Sequence, residues 1–331
     1  MDSMKVEHKS FNNRVGLLWS LLVGVFFVWP VTGIGQTPNA SNGRSGDALS
    51  ERESRTLNQP GPQNMSIDGP AVDRSGRIYS ANILSPGSIA VSDSSGVFVE
   101  WLKLPDNGRS SSIRISPTNE MFVSDYKNHR VYRIDIETKS LSVYLENQTL
   151  NQPNDMAIAG DGSIYLTDPS WKKGKPGSIY RISPRGVLEL LATDLKAVNG
   201  LDLSPDETKL YFTESIKGEL FVLDLSTFRS GEVNPSQAKI EKLHTFEPDT
   251  VDGVRTDVRG NVYITRIQRQ AVDVVDSTGK VVASIPLKGK FPTNLCFGGH
   301  DGKTLFVTTR DQNLVEMISV DSPGREWSQI R

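Results

Sequence analysis

One texture recurs six times after residue 65: a Gly-containing or polar turn followed by a short strand that carries Tyr or Phe. The copies are SGRIYSAN, TNEMFVSD, DGSIYLTD, ETKLYFTE, RGNVYITR and GKTLFVTT, with their aromatics at Tyr79, Phe122, Tyr165, Tyr211, Tyr263 and Phe306. The spacing is 43 residues three times, 46 once and 52 once. A period in the forties with this strand-turn-strand texture marks propeller blades, each a four-stranded antiparallel sheet that cannot bury both faces alone. Around each aromatic strand the copies supply three more, as in MAIAG (156–160), GSIYRIS (177–183) and VLELLA (187–192). Apolar and polar residues alternate at period two, Gly and Pro fill the gaps, and no helix is evident after residue 36. The expectation is an all-β chain, one six-bladed β-propeller of four-stranded antiparallel blades over residues 65–331. Whether an N-terminal strand helps to close the ring cannot be read from the sequence.

Ahead of the repeats, Lys5, Lys9 and Arg14 precede an uncharged apolar run, VGLLWSLLVGVFFVWPV, from Val15 to Val31, with Gly33 and Gly35 behind it. Residues 1–35 therefore read as a signal peptide or an N-terminal membrane anchor. Residues 36–64 have no aromatic and few aliphatic side chains, which is the composition of a disordered polar linker. The expected location is extracytoplasmic, periplasmic or secreted, with the N-terminal segment as a membrane tether if it is not cleaved. Elsewhere the composition mainly excludes. With 37 Lys+Arg against 39 Asp+Glu and no basic cluster, a nucleic-acid partner is not expected. A single cysteine, Cys296, allows neither an intramolecular disulfide nor a thiolate zinc site.

The repeat also locates a site. The first strand of a propeller blade lines the central channel, so equivalent positions at its start form a ring. Counting back eleven residues from each aromatic, or twelve where the turn is one residue longer, gives Asp68, Ser111, Asn154, Asn199, Asp252 and Asn294. Turn residues are often Asn, Asp or Ser for local reasons. Here Asp68-Gly69, Asn199-Gly200 and Asp252-Gly253 set a side-chain oxygen beside a residue that permits close backbone packing, and Pro153 stiffens the approach to Asn154. Two carboxylates and several amides on one axis make an oxygen cage suited to a hard divalent cation.

At these residues the chain resembles the gluconolactonase/regucalcin (senescence marker protein) family of six-bladed propellers. The resemblance rests on LNQPNDMAIAGDGSIYLTD, VNGLDLSPDETKLYFTES and VDGVRTDVRGNVYIT and runs from Met65 to about Thr309. It implies hydrolysis of a lactone or related ester around one divalent cation, Ca²⁺ foremost, with Mg²⁺, Mn²⁺ and Zn²⁺ as alternatives. It implies Asn154, Asn199 and Asp252 as metal ligands, with Asp68, in IDGP, at the place of the family's Glu. Asp252 would double as the catalytic base, with Asp155 a second catalytic candidate. The animal members carry an Arg just before the Asn-Asp pair to grip a sugar acid, and this chain has Gln152-Pro153 there, so sugar specificity does not transfer. Ser111, Asn294 and Gln152 are the expected substrate-binding residues, and a monomer acting on a small molecule is the expected state. Asp202 falls at an alternating strand position and reads as structural. No G-x-S-x-G elbow or H-E-x-x-H motif is present. The rival reading is a non-catalytic propeller: SDYKNHRVYRID resembles the turn of NHL-type propellers, which serve as binding platforms.

Overall fold

The computed structural model of the protein describes residues 52–57, 65–84, 86–92, 96–171, 176–228 and 234–329. The export segment expected over 1–35 lies outside the described residues, as does most of the linker. Among the described residues no helix is long and apolar enough to cross a membrane. Twenty-four strands, β1 to β24 in chain order, form six antiparallel sheets of four. Five of the sheets are built from consecutive strands, and the sixth has the order β1 (Arg55–Thr56), β24 (Leu314–Ser319), β23 (Thr304–Thr309), β22 (Pro292–Gly298). This is the six-bladed propeller that the repeat predicts.

The closing sheet is where the structure departs from the sequence reading. The fourth strand of blade six is β1 (Arg55–Thr56), which pairs Arg55 with Met317 and Thr56 with Glu316 of β24 (Leu314–Ser319). A strand of the propeller thus lies inside the stretch assigned to the linker, ten residues before the expected start at Met65. The C-terminal end of the described chain forms a one-turn helix, α1 (Arg325–Gln329). Two residues carry too little pattern to be recognised as a strand, and their partner is about 260 positions away. Leu57 N–H donates to Val315 O at 2.8 Å, while Arg52 donates to Ser319 O and pairs with Asp321. Chain ends tied into one blade close the ring and cover an edge that would otherwise be exposed.

Burial explains why apolar alternation is weak near the axis. Each blade's first strand is buried along its length, as in β2 (Ile67–Val72), β14 (Val198–Leu203) and β18 (Val251–Thr256). Outer strands such as β9 (Leu141–Glu146) are half exposed. A strand covered on both faces needs no polar side, so its polar residues are there for internal bonds. The repeated aromatics are all buried, and three pack edge-on against other rings: Tyr79 on Trp101 at 5.2 Å, Phe122 on Tyr144 at 5.0 Å and Tyr263 on Phe297 at 5.2 Å.

Candidate active site

The start of each first strand faces one end of the channel, here named the mouth. In five blades the pairing of first with second strand is irregular at this point, between Asp68 and Ala71, Ser110 and Ser112, Val198 and Leu201, Val251 and Val254, and Pro292 and Leu295. A bulge re-aims a side chain out of the ladder, and here it turns one residue per blade toward the axis. Glycine permits the crowding that results. A Cβ on Gly200 would lie 2.3 Å from Asp252 O of the next blade, and one on Gly69 would lie 2.4 Å from Ser111 O. The Asp-Gly and Asn-Gly pairs therefore record where neighbouring first strands touch.

Four of the six ring residues come together. The Asn154 amide donates to Asn199 Oδ1 at 2.9 Å. Asp252 is buried, and burial, followed by the charge of Asp68, pushes its carboxyl well above the usual carboxylate range, against the pull of Arg310 and of a hydrogen bond from Asn199. Asp68 accepts from Gly69 N–H at 2.8 Å and pairs with Arg310 at 2.5 Å. The sequence reading missed Arg310. It follows β23 (Thr304–Thr309) at the mouth of blade six, and only the closed ring brings it to blade one.

The other two ring positions face into joints between blades. Ser111 Oγ donates to Pro153 O at 2.9 Å and shares a hydrogen bond with Ser124. Asn294 Oδ1 accepts from Leu295 N–H at 2.9 Å and from Arg255 at 3.2 Å. Neither has its oxygen free for a substrate, in contrast to the expectation. Gln152 is at the mouth: Asp168 accepts from its amide N–H at 2.6 Å, and its Oε1 accepts from Trp171 N–H at 3.5 Å.

Asp155 does not join the cluster. Its side chain turns down the channel between two buried arginines, bonded to Arg114 through Oδ1 and to Arg255 through Oδ2 at 3.1 Å. Burial pushes its carboxyl up to about 6, against the Arg114 guanidinium. A catalytic base must reach the reacting proton, and Asp155 is 0% exposed, so the expected catalytic role gives way to an internal one. Farther down, Asp202 accepts from Thr256 N–H at 2.8 Å and pairs with Arg325 of α1 at 2.8 Å, which agrees with the structural reading. Buried ion pairs, two arginines on Asp155 and one on Asp202, thus fill the channel below the ring.

Second-strand hydroxyls set the angle between blades. Ser124 Oγ, Thr167 Oγ1 and Thr213 Oγ1 donate to the backbone oxygens of Asn154, Asn199 and Asp252, each in the next blade, at 2.6, 2.7 and 2.8 Å. All three lie two residues after the repeated aromatic, a regularity visible in the aligned copies.

The donor chemistry fits a divalent cation. Two carboxylates and two amide oxygens converge, and the mutual repulsion of Asp68 and Asp252 would be relieved by a positive charge between them. Among the described residues no group of three or more His, Cys, Asp or Glu side chains could hold a metal ion, so any such ion depends on the amides as well as the acids.

Fold and ring together define the class: a six-bladed propeller with an Asp/Asn ring at one end of its channel. Residues 118–311 match the family described as SMP-30/Gluconolactonase/LRE-like region. This match covers more than half of the chain, and the protein belongs to that family. The chain is 26% identical over 216 residues to a gluconolactonase from Zymomonas mobilis, covering 60% of each chain. It is 28% identical over 167 residues to regucalcin from Bos taurus, covering 48% of this chain and 54% of the relative. Both matches thus span less than two thirds of the relative's length. The solved structure of a calcium-binding regucalcin from Agrobacterium tumefaciens superposes with a TM-score of 0.69 over 82% of this chain and 95% of its own, at 22% identity, a likeness of fold.

Proposed function

We propose that the protein hydrolyses a lactone, or a closely related ester, at the mouth of the channel, with a divalent cation held by Asp68, Asn154, Asn199 and Asp252. The observation that carries this reading is the convergence of those four side chains, contributed by four blades, in a family whose named relatives include gluconolactonases. When bound, the cation supplies a Lewis acid for the carbonyl oxygen and lowers the pKa of a water. Asp252 accepts the proton of the attacking water. The water oxygen bonds to the carbonyl carbon, the ring C–O bond breaks, and the proton passes to the departing alkoxide, leaving a hydroxy acid. Asn154 and Asn199 hold their orientation through their mutual bond, while Arg310 fixes Asp68.

The test is a panel of aldonolactones, acyl lactones and aryl esters assayed with and without chelator, together with calorimetric titration of Ca²⁺ and Mn²⁺. Asp252→Ala should lower kcat/KM by at least roughly 100-fold, the scale of losing a general base, and should weaken cation binding. Undiminished turnover in that variant would refute the assignment.

A further inference from the structure

Arginines inside this protein come with acids. Among the described residues, every other buried or half-buried arginine forms an ion pair with a carboxylate: Arg114 and Arg255 with Asp155, Arg266 with Asp249 and Asp273, Arg325 with Asp202, Arg310 with Asp68, and the remainder on the blade surfaces. Arg109 is the exception. It is half-buried, it has no carboxylate within ion-pair distance, and its Nε is buried with no hydrogen-bond partner among the described residues. Leaving a charged donor in that state is costly unless something else completes it.

Its place in the fold is as informative as its lack of an acid. Arg109 stands two residues before Ser111, the position in blade two that Gln152 has in blade three, and so lies at the mouth. Tyr126 holds it there: Arg109 Nη1 donates to the Tyr126 hydroxyl at 3.0 Å, its guanidinium lies 5.9 Å from the ring centre, and the hydroxyl donates to Ile83 O at 3.4 Å. The adjacent acid, Asp125, is already engaged, accepting from the backbone N–H groups of Arg109, Lys127 and Asn128 at 2.8, 3.1 and 3.2 Å. Arg310 is close enough to Tyr126 to be influenced by its hydroxyl, and its own charge is matched by Asp68. The mouth therefore offers an oriented, half-buried guanidinium with no acid of its own.

We infer that Arg109, positioned by Tyr126, forms an anion subsite beside the ring, and that the substrate is a lactone bearing an acidic substituent such as a carboxylate. This rests on the proposed lactone hydrolysis only for the word lactone; recognition of the anion stands on Arg109 alone. A guanidinium suits that group because its planar fork bonds two carboxylate oxygens at once.

The experiment compares two pairs of probes in the full protein with Ca²⁺ present. By calorimetry, glucarate, which has two carboxylates, should bind at least 10-fold tighter than gluconate, which has one. In turnover, the lactone of glucaric acid should have a lower KM than neutral glucono-δ-lactone. Arg109→Gln should remove both preferences, Arg109→Lys should keep part of them, and Tyr126→Phe should weaken them. Thermal melts establish that each variant is folded. Equal binding of the two acids by the wild type, or a preference that survives Arg109→Gln, overturns the subsite. If glucarate is preferred through Arg109 but neither lactone is hydrolysed, the subsite stands and the lactonase reading fails. If both lactones turn over with equal KM, that reading stands and the subsite is overturned.

Discussion

At the residue scale, the mouth depends on what lies directly beneath it. Asp155 pairs with both Arg114 and Arg255, three side chains from blades two, three and five that meet on the axis with at most 1% exposure each. Removing one member of a buried ion cluster strands the others, at a cost of about 3–5 kcal/mol. Asp155→Ala should therefore lower the melting temperature by about 10 °C, whereas Asp252→Ala should leave it nearly unchanged, since Asp252 faces Asp68 in the same buried pocket. A melt in which the two variants behave alike would show that Asp155 does not hold the axis together. Gly200→Ala is the finer probe. Its Cβ would meet Asp252 O at 2.3 Å, so the strand carrying Asp252 must shift, and cation affinity should fall more than stability does. The adjacent Asn199 and Asp252 were legible from the repeat register. The reason for the glycine between blades was not, because the touching atom belongs to a strand more than fifty residues later.

At the element scale, the two ends of the described chain do different work. Strand β1 completes the last sheet with two residues and the flanking bonds of Arg52 and Leu57. A protein beginning at residue 64 should fold with a bare β24 edge, melt lower and aggregate more than one beginning at residue 50; light scattering during the melt reads this directly. Helix α1 sends Arg325 up into the channel and leaves Glu326 Oε1 buried with no hydrogen-bond partner among the described residues. Burial pushes the Glu326 carboxyl up to about 7; the charges of Arg114 and Arg325 oppose the shift and that of Asp202 adds to it. Between the ordinary glutamate value and 7 the folded state holds a proton that the unfolded chain has released, so stability falls as pH rises through that window. Below it, the contribution is fully present. Urea midpoints from pH 4.5 to 7.5 should show this slope in the wild type and a smaller one in Glu326→Gln; parallel profiles would remove Glu326 from the account. The sequence shows no helix there because five residues carry no periodicity, and Arg325, which anchors it to Asp202, looks like an ordinary surface residue until the channel is closed around it.

At the scale of the whole molecule, ring closure decides which residues meet. Blade number and the four-stranded antiparallel blade were readable, since a repeated strand that cannot bury its faces alone must stack on copies of itself, and a fixed period puts equivalent residues on one axis. Composition added that an oxygen cage was the available chemistry, with one cysteine in the chain. Which ring members face the mouth was not readable: Asp68, Asn154, Asn199 and Asp252 gather there, while Ser111 and Asn294 turn into blade joints and Asp155 turns down the channel. The arginines were equally hidden. Arg109 and Arg310 are two hundred residues apart, and Arg310 reaches Asp68 only because the last blade closes on the first. The strand before residue 57 that makes this closure enters from the face opposite the mouth, since Arg52 sits beside Ser319 and Asp321 and Leu57 beside Val315. By itself, the sequence determined the architecture and the set of candidate ligands, because both follow from local pattern repeated at a period. Tertiary structure alone decided the charge balance of the site, because charges interact through space and the partners of each are set by neighbouring blades rather than by neighbouring residues.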